Sequence, residues 1–163
     1  LQKGRMFFKD VPEAKGTLDF IGLNYYTHVL VGPASVSLLK MKFPKRRQEV
    51  ATEFGYPMYA EGLRRAVEFL TPLGVPIEVT ENGVADANDT LRTEHLKRHL
   101  WVLSQAIQDG HDVRSYHHWS LMDNFEWAEG YSMRFGLHHV DFETQERTLR
   151  GSGEAYKQIV QNN

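Results

Sequence analysis

Apolar residues in this chain gather into short continuous runs and helical stripes that alternate with one another. Leu18-Asp19-Phe20-Ile21-Gly22-Leu23-Asn24 is a short apolar run ending in polar residues, and it predicts a buried strand over 18–24. From Tyr25 to about Pro57 no period is evident, and Gly32, Pro33, Pro44 and Gly55 punctuate a long loop. Tyr59, Leu63, Ala66, Val67 and Leu70 then fall on one helical face, which predicts a helix over 59–71 ended by Pro72 and Gly74. Val75 to Thr80 reads as a second strand, spanning about 76–81 and closing on Glu81-Asn82-Gly83. A longer helix is expected over 90–109, with Leu96, Leu100, Leu103 and Ile107 as its buried stripe. Asp89 or Thr90 would cap its start, and Gly110 would follow its end. A third strand over 113–120, a polar and aromatic loop, a short strand near 137–141 and a helix over 152–160 complete the pattern.

The order strand, helix, strand, helix, strand, helix predicts an α/β fold with parallel strands covered by helices. Three such units are too few to close a barrel, which needs eight. With 163 residues the chain reads as a single domain, 1–163. It does not begin with Met, and so reads as a trimmed product or a piece of something longer.

Composition narrows the function. Lys and Arg total 19 against 21 Asp and Glu, so a generally basic nucleic-acid surface is not expected. The absence of cysteine excludes disulfides, cysteine-ligated metals and a thiol nucleophile. No apolar run approaches membrane-spanning length, and the N-terminus does not resemble a signal peptide. The expectation is therefore a cytoplasmic protein that binds neither membrane nor nucleic acid.

In parallel α/β proteins the C-terminal strand ends carry the chemistry. Here they offer Asn24, Tyr25 and Tyr26, then Glu81 and Asn82, then Trp119 followed by Asp123, Asn124, Glu126 and Trp127. Carboxylates, an amide, phenols and indoles on one rim suit a sugar, since indole faces pack on the C–H faces of a pyranose. A carboxylate at a strand end could also attack an anomeric carbon. Glu81 is the sharpest candidate for that role, with Tyr26 on the neighbouring strand end as a hydrogen-bond donor. A second reading has Glu81 capping the segment that follows, and the residues alone leave both open.

Three stretches carry a resemblance. Ile77-Glu78-Val79-Thr80-Glu81-Asn82-Gly83 resembles the nucleophile motif of glycoside hydrolase family 1, the β-glucosidase family. Asp19 to Thr27 (DFIGLNYYT) resembles its sixth-strand motif, and Trp119 to Tyr131 (WSLMDNFEWAEGY) its eighth-strand signature. Arg134-Phe135-Gly136-Leu137 and Val140-Asp141-Phe142 continue the match, which runs from about Leu18 to Val160.

The resemblance implies the C-terminal three βα units of a TIM (β/α)8 barrel, a partial barrel with parallel strands. It implies Glu81 as the nucleophile of a retaining mechanism and Tyr26 as its hydrogen-bond donor. Asn24 would lie near the same centre, Trp119 under the sugar, Glu126 and Trp127 on its outer hydroxyls, and Phe135 in the wall. The family's acid/base motif, Thr-x-Asn-Glu-Pro, is absent, as are its sugar-binding motifs from earlier strands. Tyr56 stands where a Trp is usual, Ala155 where the last helix often has a Trp, and Met122 where Leu is common.

Other features carry less. His95 and His99 are four apart on the long helix and read as surface histidines, with no third metal ligand in sight. His117-His118 and His138-His139 lie on strands, so each pair points to opposite faces. Lys40, Lys42, Lys45, Arg46 and Arg47 read as a solvated loop face, and Asn88-Asp89-Thr90 as an idle glycosylation sequon. No cofactor is expected.

Two functions of different class follow. One is the nucleophile-bearing part of a β-glycosidase acting on a β-glycoside, completed by the missing N-terminal barrel portion. The other is a non-catalytic half-barrel that binds a monosaccharide or serves in assembly. The outer strands, starting at Leu18 and Val113, would be open edges, and the inward side chains Phe20, Gly22, Ile77 and Val79 would lack the opposite barrel wall, so pairing with the absent half or homo-oligomerisation is expected.

Overall fold

The computed structural model describes residues 12–14, 16–29 and 50–162. Eight regular elements organise the described residues. They are β1 (Ile21–Asn24), α1 (Ala60–Leu70), β2 (Ile77–Asn82), α2 (Arg92–Gln108), β3 (Val113–His118), β4 (His138–Val140), β5 (Arg147–Leu149) and α3 (Gly151–Gln161). Strands β1, β2 and β3 form a parallel sheet in that order, and β4 and β5 form a separate antiparallel hairpin. The alternation read from the sequence is therefore realised as three βα units.

The first strand is shorter than 18–24. Its pairing begins where the Ile21 N–H meets the Pro76 carbonyl at 2.8 Å, and Leu18 and Phe20 upstream are exposed. The third strand ends at His118 rather than at residue 120, because the chain turns out of the sheet at Trp119. Strand β5 has no apolar alternation, all three residues being exposed, which is why the pattern did not announce it. The basic cluster from Lys40 to Arg47 lies outside the described residues.

The core lies between the sheet and the first two helices. Leu63 and Val67 of α1, Val102, Leu103 and Ala106 of α2, and Ile77 and Val79 of β2 pack together with Tyr25. Ile77 and Val79 thus face the helices, which corrects the expectation that they point to the barrel interior. Strand alternation places Gly22, Asn24, Glu78 and Thr80 on the opposite face. That face is polar: the Thr80 hydroxyl donates to the Asn24 side-chain carbonyl at 2.7 Å, and a Cβ at Gly22 would press on the Thr80 side chain at 3.1 Å.

Helix α2 is rotated relative to the expected stripe. Its buried residues are Arg92, His95, Leu96, His99, Val102, Leu103 and Ala106, while Ile107 is exposed. His95 and His99 are therefore core residues, and their reading as surface histidines is corrected. The rotation arises because α2 packs on α1 and the sheet at once, while Leu100 and Ile107 line a groove beside α3. Neither Asp89 nor Thr90 caps the helix. Asp86 does so from the preceding loop, its Oδ2 accepting the Leu91 and Arg92 N–H groups at 2.7 and 3.0 Å. Burial alone would raise the Asp86 carboxyl, but these backbone donors outweigh it and hold the group below its usual value. No helix among the described residues is long and apolar enough to cross a membrane.

Candidate active site

The site grows from Asn82. Its side chain is fully buried, donates to the Tyr25 carbonyl at 2.7 Å and accepts from the Tyr116 hydroxyl at 2.9 Å. One amide thus ties the ends of all three parallel strands. The Tyr25 N–H meets the Glu81 carbonyl and the Trp119 N–H meets the Asn82 carbonyl, each at 2.9 Å. These bonds fix where Glu81 and Trp119 leave the sheet. Gly83 is required beside them, because a Cβ there would lie 1.8 Å from the Trp119 carbonyl oxygen. The run Thr80-Glu81-Asn82-Gly83 is therefore a carboxylate, a strand-end clamp and a gap for a neighbouring backbone.

An open cleft of about 420 Å³ stands over this rim, lined by Tyr26, Thr27, Phe54, Tyr56, Glu81, Trp119, Glu126, Trp127 and Phe135. The Tyr26 hydroxyl donates to Glu81 Oε2 at 2.7 Å. The Tyr26 phenol is pushed far up, first by burial and then by the hydrogen bond and charge of Glu81, so it keeps its proton and remains a donor. Its ring is held edge-on by Tyr56 and Phe135, with centroids 6.4 and 6.3 Å away. Across the cleft, Trp119 Nε1 donates to Glu126 Oε2 at 3.3 Å. Tyr56 is also raised, by burial first and then by the Glu126 charge.

Six of the seven residues singled out in the sequence meet in this cleft. The seventh, Asn24, pairs with Glu81 in strand register, but its side chain is engaged with Thr80 and is not among the cleft's lining residues. Glu81 does not cap α2, since Asp86 performs that task. Asp123 belongs to a buried pin and not to the open rim. Its carboxylate accepts from both terminal nitrogens of Arg150 at 2.9 and 3.0 Å and from the Gly136 N–H at 2.9 Å. Asn124 is likewise tied to its own loop through Ser120 and the Met122 carbonyl.

Phe54 was not anticipated as a wall residue. It arrives on a small turn in which the Thr52 N–H bonds the Tyr56 carbonyl and the Met58 N–H bonds the Val50 carbonyl, each at 2.9 Å. Its signal in the sequence was the Phe54-Gly55-Tyr56 spacing, where two aromatics flank a turn glycine. Among the described residues no cluster of His, Asp and Glu is arranged to hold a metal ion.

The strand-end rim of the parallel sheet thus carries two carboxylates, Glu81 and Glu126, beside an aromatic wall. The profile described as glycosyl hydrolase family 1 matches residues 5–163, and the chain belongs to that family. Among curated relatives, a β-galactosidase of Pyrococcus woesei is 37% identical over 96% of this chain and 34% of its own length. The β-glucosidase A of Thermotoga maritima is 38% identical over 94% of this chain and 37% of its own length. Among solved structures, the hyperthermophilic β-glucosidase of Pyrococcus furiosus superposes with a TM-score of 0.84 at 41% identity, over 91% of this chain and 34% of that one. A Thermotoga maritima β-glucosidase in complex with glucoimidazole gives 0.82 at 38% identity, over 93% and 36%. The chain thus spans about a third of the length of the relatives it matches, and its three βα units are a partial (β/α)8 barrel.

Proposed function

We propose that this chain carries the nucleophile side of a retaining β-glycosidase site, with Glu81 as nucleophile and the general acid/base supplied by barrel strands outside it. The observation that carries the reading is the Tyr26 hydroxyl on Glu81 Oε2 inside an aromatic cleft. A carboxylate that attacks must be ionised and aimed, and a phenol that retains its proton does both. Glu81 would attack the anomeric carbon as the aglycone oxygen leaves with a proton from the acid group. The resulting glycosyl ester would then be cleaved by water, which gives its proton to the same group. Trp119 would lie under the ring. Glu126, oriented by the Trp119 indole, would accept from outer hydroxyls, Trp127 would donate its indole N–H to them, and Phe135 would close the wall. Asn24, on the adjoining strand end, would serve the same centre after releasing Thr80.

A second reading, a non-catalytic sugar-binding or assembly module, is favoured by one feature: within the described cleft only Glu81 and Glu126 are carboxylates, and Glu126 is already engaged by Trp119. One experiment separates the two. An activated 2-deoxy-2-fluoro glucoside is given to a protein that unites this chain with the complementary strands, and the labelled peptide is mapped by mass spectrometry. The fluorine slows both oxocarbenium-like steps and the good leaving group permits the first, so an ester should accumulate on Glu81. Label on Glu126 or Glu78, or sugar binding without any label, overturns the catalytic reading.

A further inference from the structure

We propose that Glu53 is a positioning residue for the Tyr26–Glu81 pair: it clamps the turn over 50–58 to the loop that follows β2, and so seats the aromatic rings that aim the Tyr26 hydroxyl. The clamp is a feature of the fold, and only its effect on turnover rests on the function proposed above. Residues 50–58 fold back on themselves, with Ala51 and Pro57 paired as an antiparallel bridge. The Gly55 N–H closes the tip on the Thr52 carbonyl at 2.9 Å, and Gly55 has a φ of +89°, where glycine alone is unstrained. A turn this short does not hold its own place and depends on its tethers. At its base, the Thr27 hydroxyl donates to the Pro57 carbonyl at 2.7 Å. At its tip, Glu53 grips the loop between β2 and α2. Its N–H donates to the Ala85 carbonyl at 3.3 Å, and both its carboxylate oxygens accept the Ala87 N–H at 3.0 Å. The gripped loop is firm, since Val84, Ala85 and Asp86 are buried and Asp86 caps α2.

The clamped turn delivers two rings to the cleft wall. Phe54 lies 5.4 Å from Tyr56 and 6.2 Å from Phe135, between centroids. Tyr56 and Phe135 in turn lie 6.4 and 6.3 Å from Tyr26, both edge-on. The four rings close a circuit, with Tyr26 at one corner. Phe135 is fixed through its own backbone, its carbonyl accepting the Ser120 N–H at 3.2 Å. Phe54 and Tyr56 take their places from the turn. Contacts between ring edges and faces are directional, so moving one corner turns the plane of the next. The plane of Tyr26 decides where its hydroxyl meets Glu81 Oε2, 2.7 Å away. Glu53 itself is exposed and is not among the residues lining the cleft, so its influence runs through these rings.

The clamp also ties the two ends of the pair together. The loop that Glu53 grips begins directly after Glu81-Asn82-Gly83, while the Thr27 hydroxyl that holds the base of the turn directly follows Tyr26. The turn therefore spans the same two strand ends that the Tyr26–Glu81 hydrogen bond spans. A carboxylate accepting a backbone N–H makes a charge-assisted bond, stronger than a neutral one. Glutamine at this position keeps one oxygen that can accept from Ala87, and alanine keeps none. Removing the acceptor frees the tip of the turn, and the Tyr26 ring loses one of its two fixed edges.

The test uses the protein completed with the complementary strands. Without any variant, the Ala87 amide should exchange with deuterium at least about tenfold slower than an unstructured amide, although Ala87 is exposed. With 3-fluorotyrosine incorporated and the Tyr26 fluorine signal assigned through Tyr26→Phe, Glu53→Ala should shift or broaden that signal, and Glu53→Gln should leave it close to its original position. In turnover of an aryl β-glucoside, Glu53→Ala should lower kcat by about threefold to tenfold with KM changed less than about twofold, and Glu53→Gln should recover most of the loss. In a Tyr26→Phe background Glu53→Ala should slow turnover no further, because it acts through the hydroxyl already removed. An unprotected Ala87 amide, an unmoved Tyr26 signal in Glu53→Ala, or losses that multiply in the double variant overturn the proposal. The amide and fluorine readings need no glycosidase activity, so they judge the clamp on their own, and failure of the catalytic reading is seen separately as the absence of label on Glu81.

Discussion

The Tyr26 hydroxyl and Glu81 Oε2 lie 2.7 Å apart across the boundary between two neighbouring strand ends. The bond joins residues 55 apart in sequence, and it exists because β1 and β2 are parallel and in register through Asn24 and Glu81. If Glu81 is the nucleophile, removing this donor withdraws a charge-assisted hydrogen bond of about 1.5–3 kcal/mol. Tyr26→Phe should then slow turnover by roughly tenfold or more in the completed enzyme, with a smaller change in binding of free sugar. Steady-state kinetics and sugar titration measure both, and unchanged turnover removes Tyr26 from the mechanism.

Gly83 faces the Trp119 carbonyl with no room for a side chain. Gly83→Ala should cost at least about 1–3 kcal/mol through overpacking, and the strain should be relieved by moving Trp119. Urea denaturation and tryptophan fluorescence report the two effects. An unchanged midpoint and spectrum would mean that the approach of the two backbones relaxes freely.

Asp123 pins the rim loop through Arg150, and both side chains are nearly or wholly inaccessible. Burial would raise its carboxyl, yet the Arg150 and Gly136 donors outweigh burial and hold it below the usual carboxylate value. The stability it contributes is therefore present above the unfolded value near pH 3.9 and is lost as the pH falls through the lower folded value. Asp123→Asn should cost about 3–5 kcal/mol near neutral pH by leaving Arg150 buried without its charge partner. The variant should also show a shallower loss of stability below pH 4. Chemical denaturation across pH checks both.

Strands β1 and β3 each have one neighbour in the described sheet, so each presents an unpaired edge. Leu100, Leu103, Ile107, Tyr156, Ile159 and Val160 line an open groove of about 540 Å³ beside β3. The chain should pair with the complementary barrel strands or associate with itself at micromolar concentration. Light scattering with hydrogen exchange on the two edge strands tests this. A monodisperse 18.8 kDa species with both edges protected would contradict it.

The alternation of apolar runs and stripes determined the three βα units and their parallel order, because each element carries its own period and its own stop signal. Motifs at the strand ends named six of the residues that line the cleft, since strand termini in such sheets project to one rim. What the linear pattern could not settle was rotation and partnership. Leu100 and Ile107 fit a helical stripe as well as His95 and His99 do, and only packing against α1 and the sheet at once decided which face of α2 is buried. Ile77 and Val79 alternate with Glu78 and Thr80 on either assumption, and the helices decided which set lies inside the core. Asp123 and Glu126 are three residues apart in one motif, yet Arg150 draws the first into the interior and the indole of Trp119 keeps the second at the cleft. A carboxylate's task depends on the donor it meets, and those donors come from distant parts of the chain.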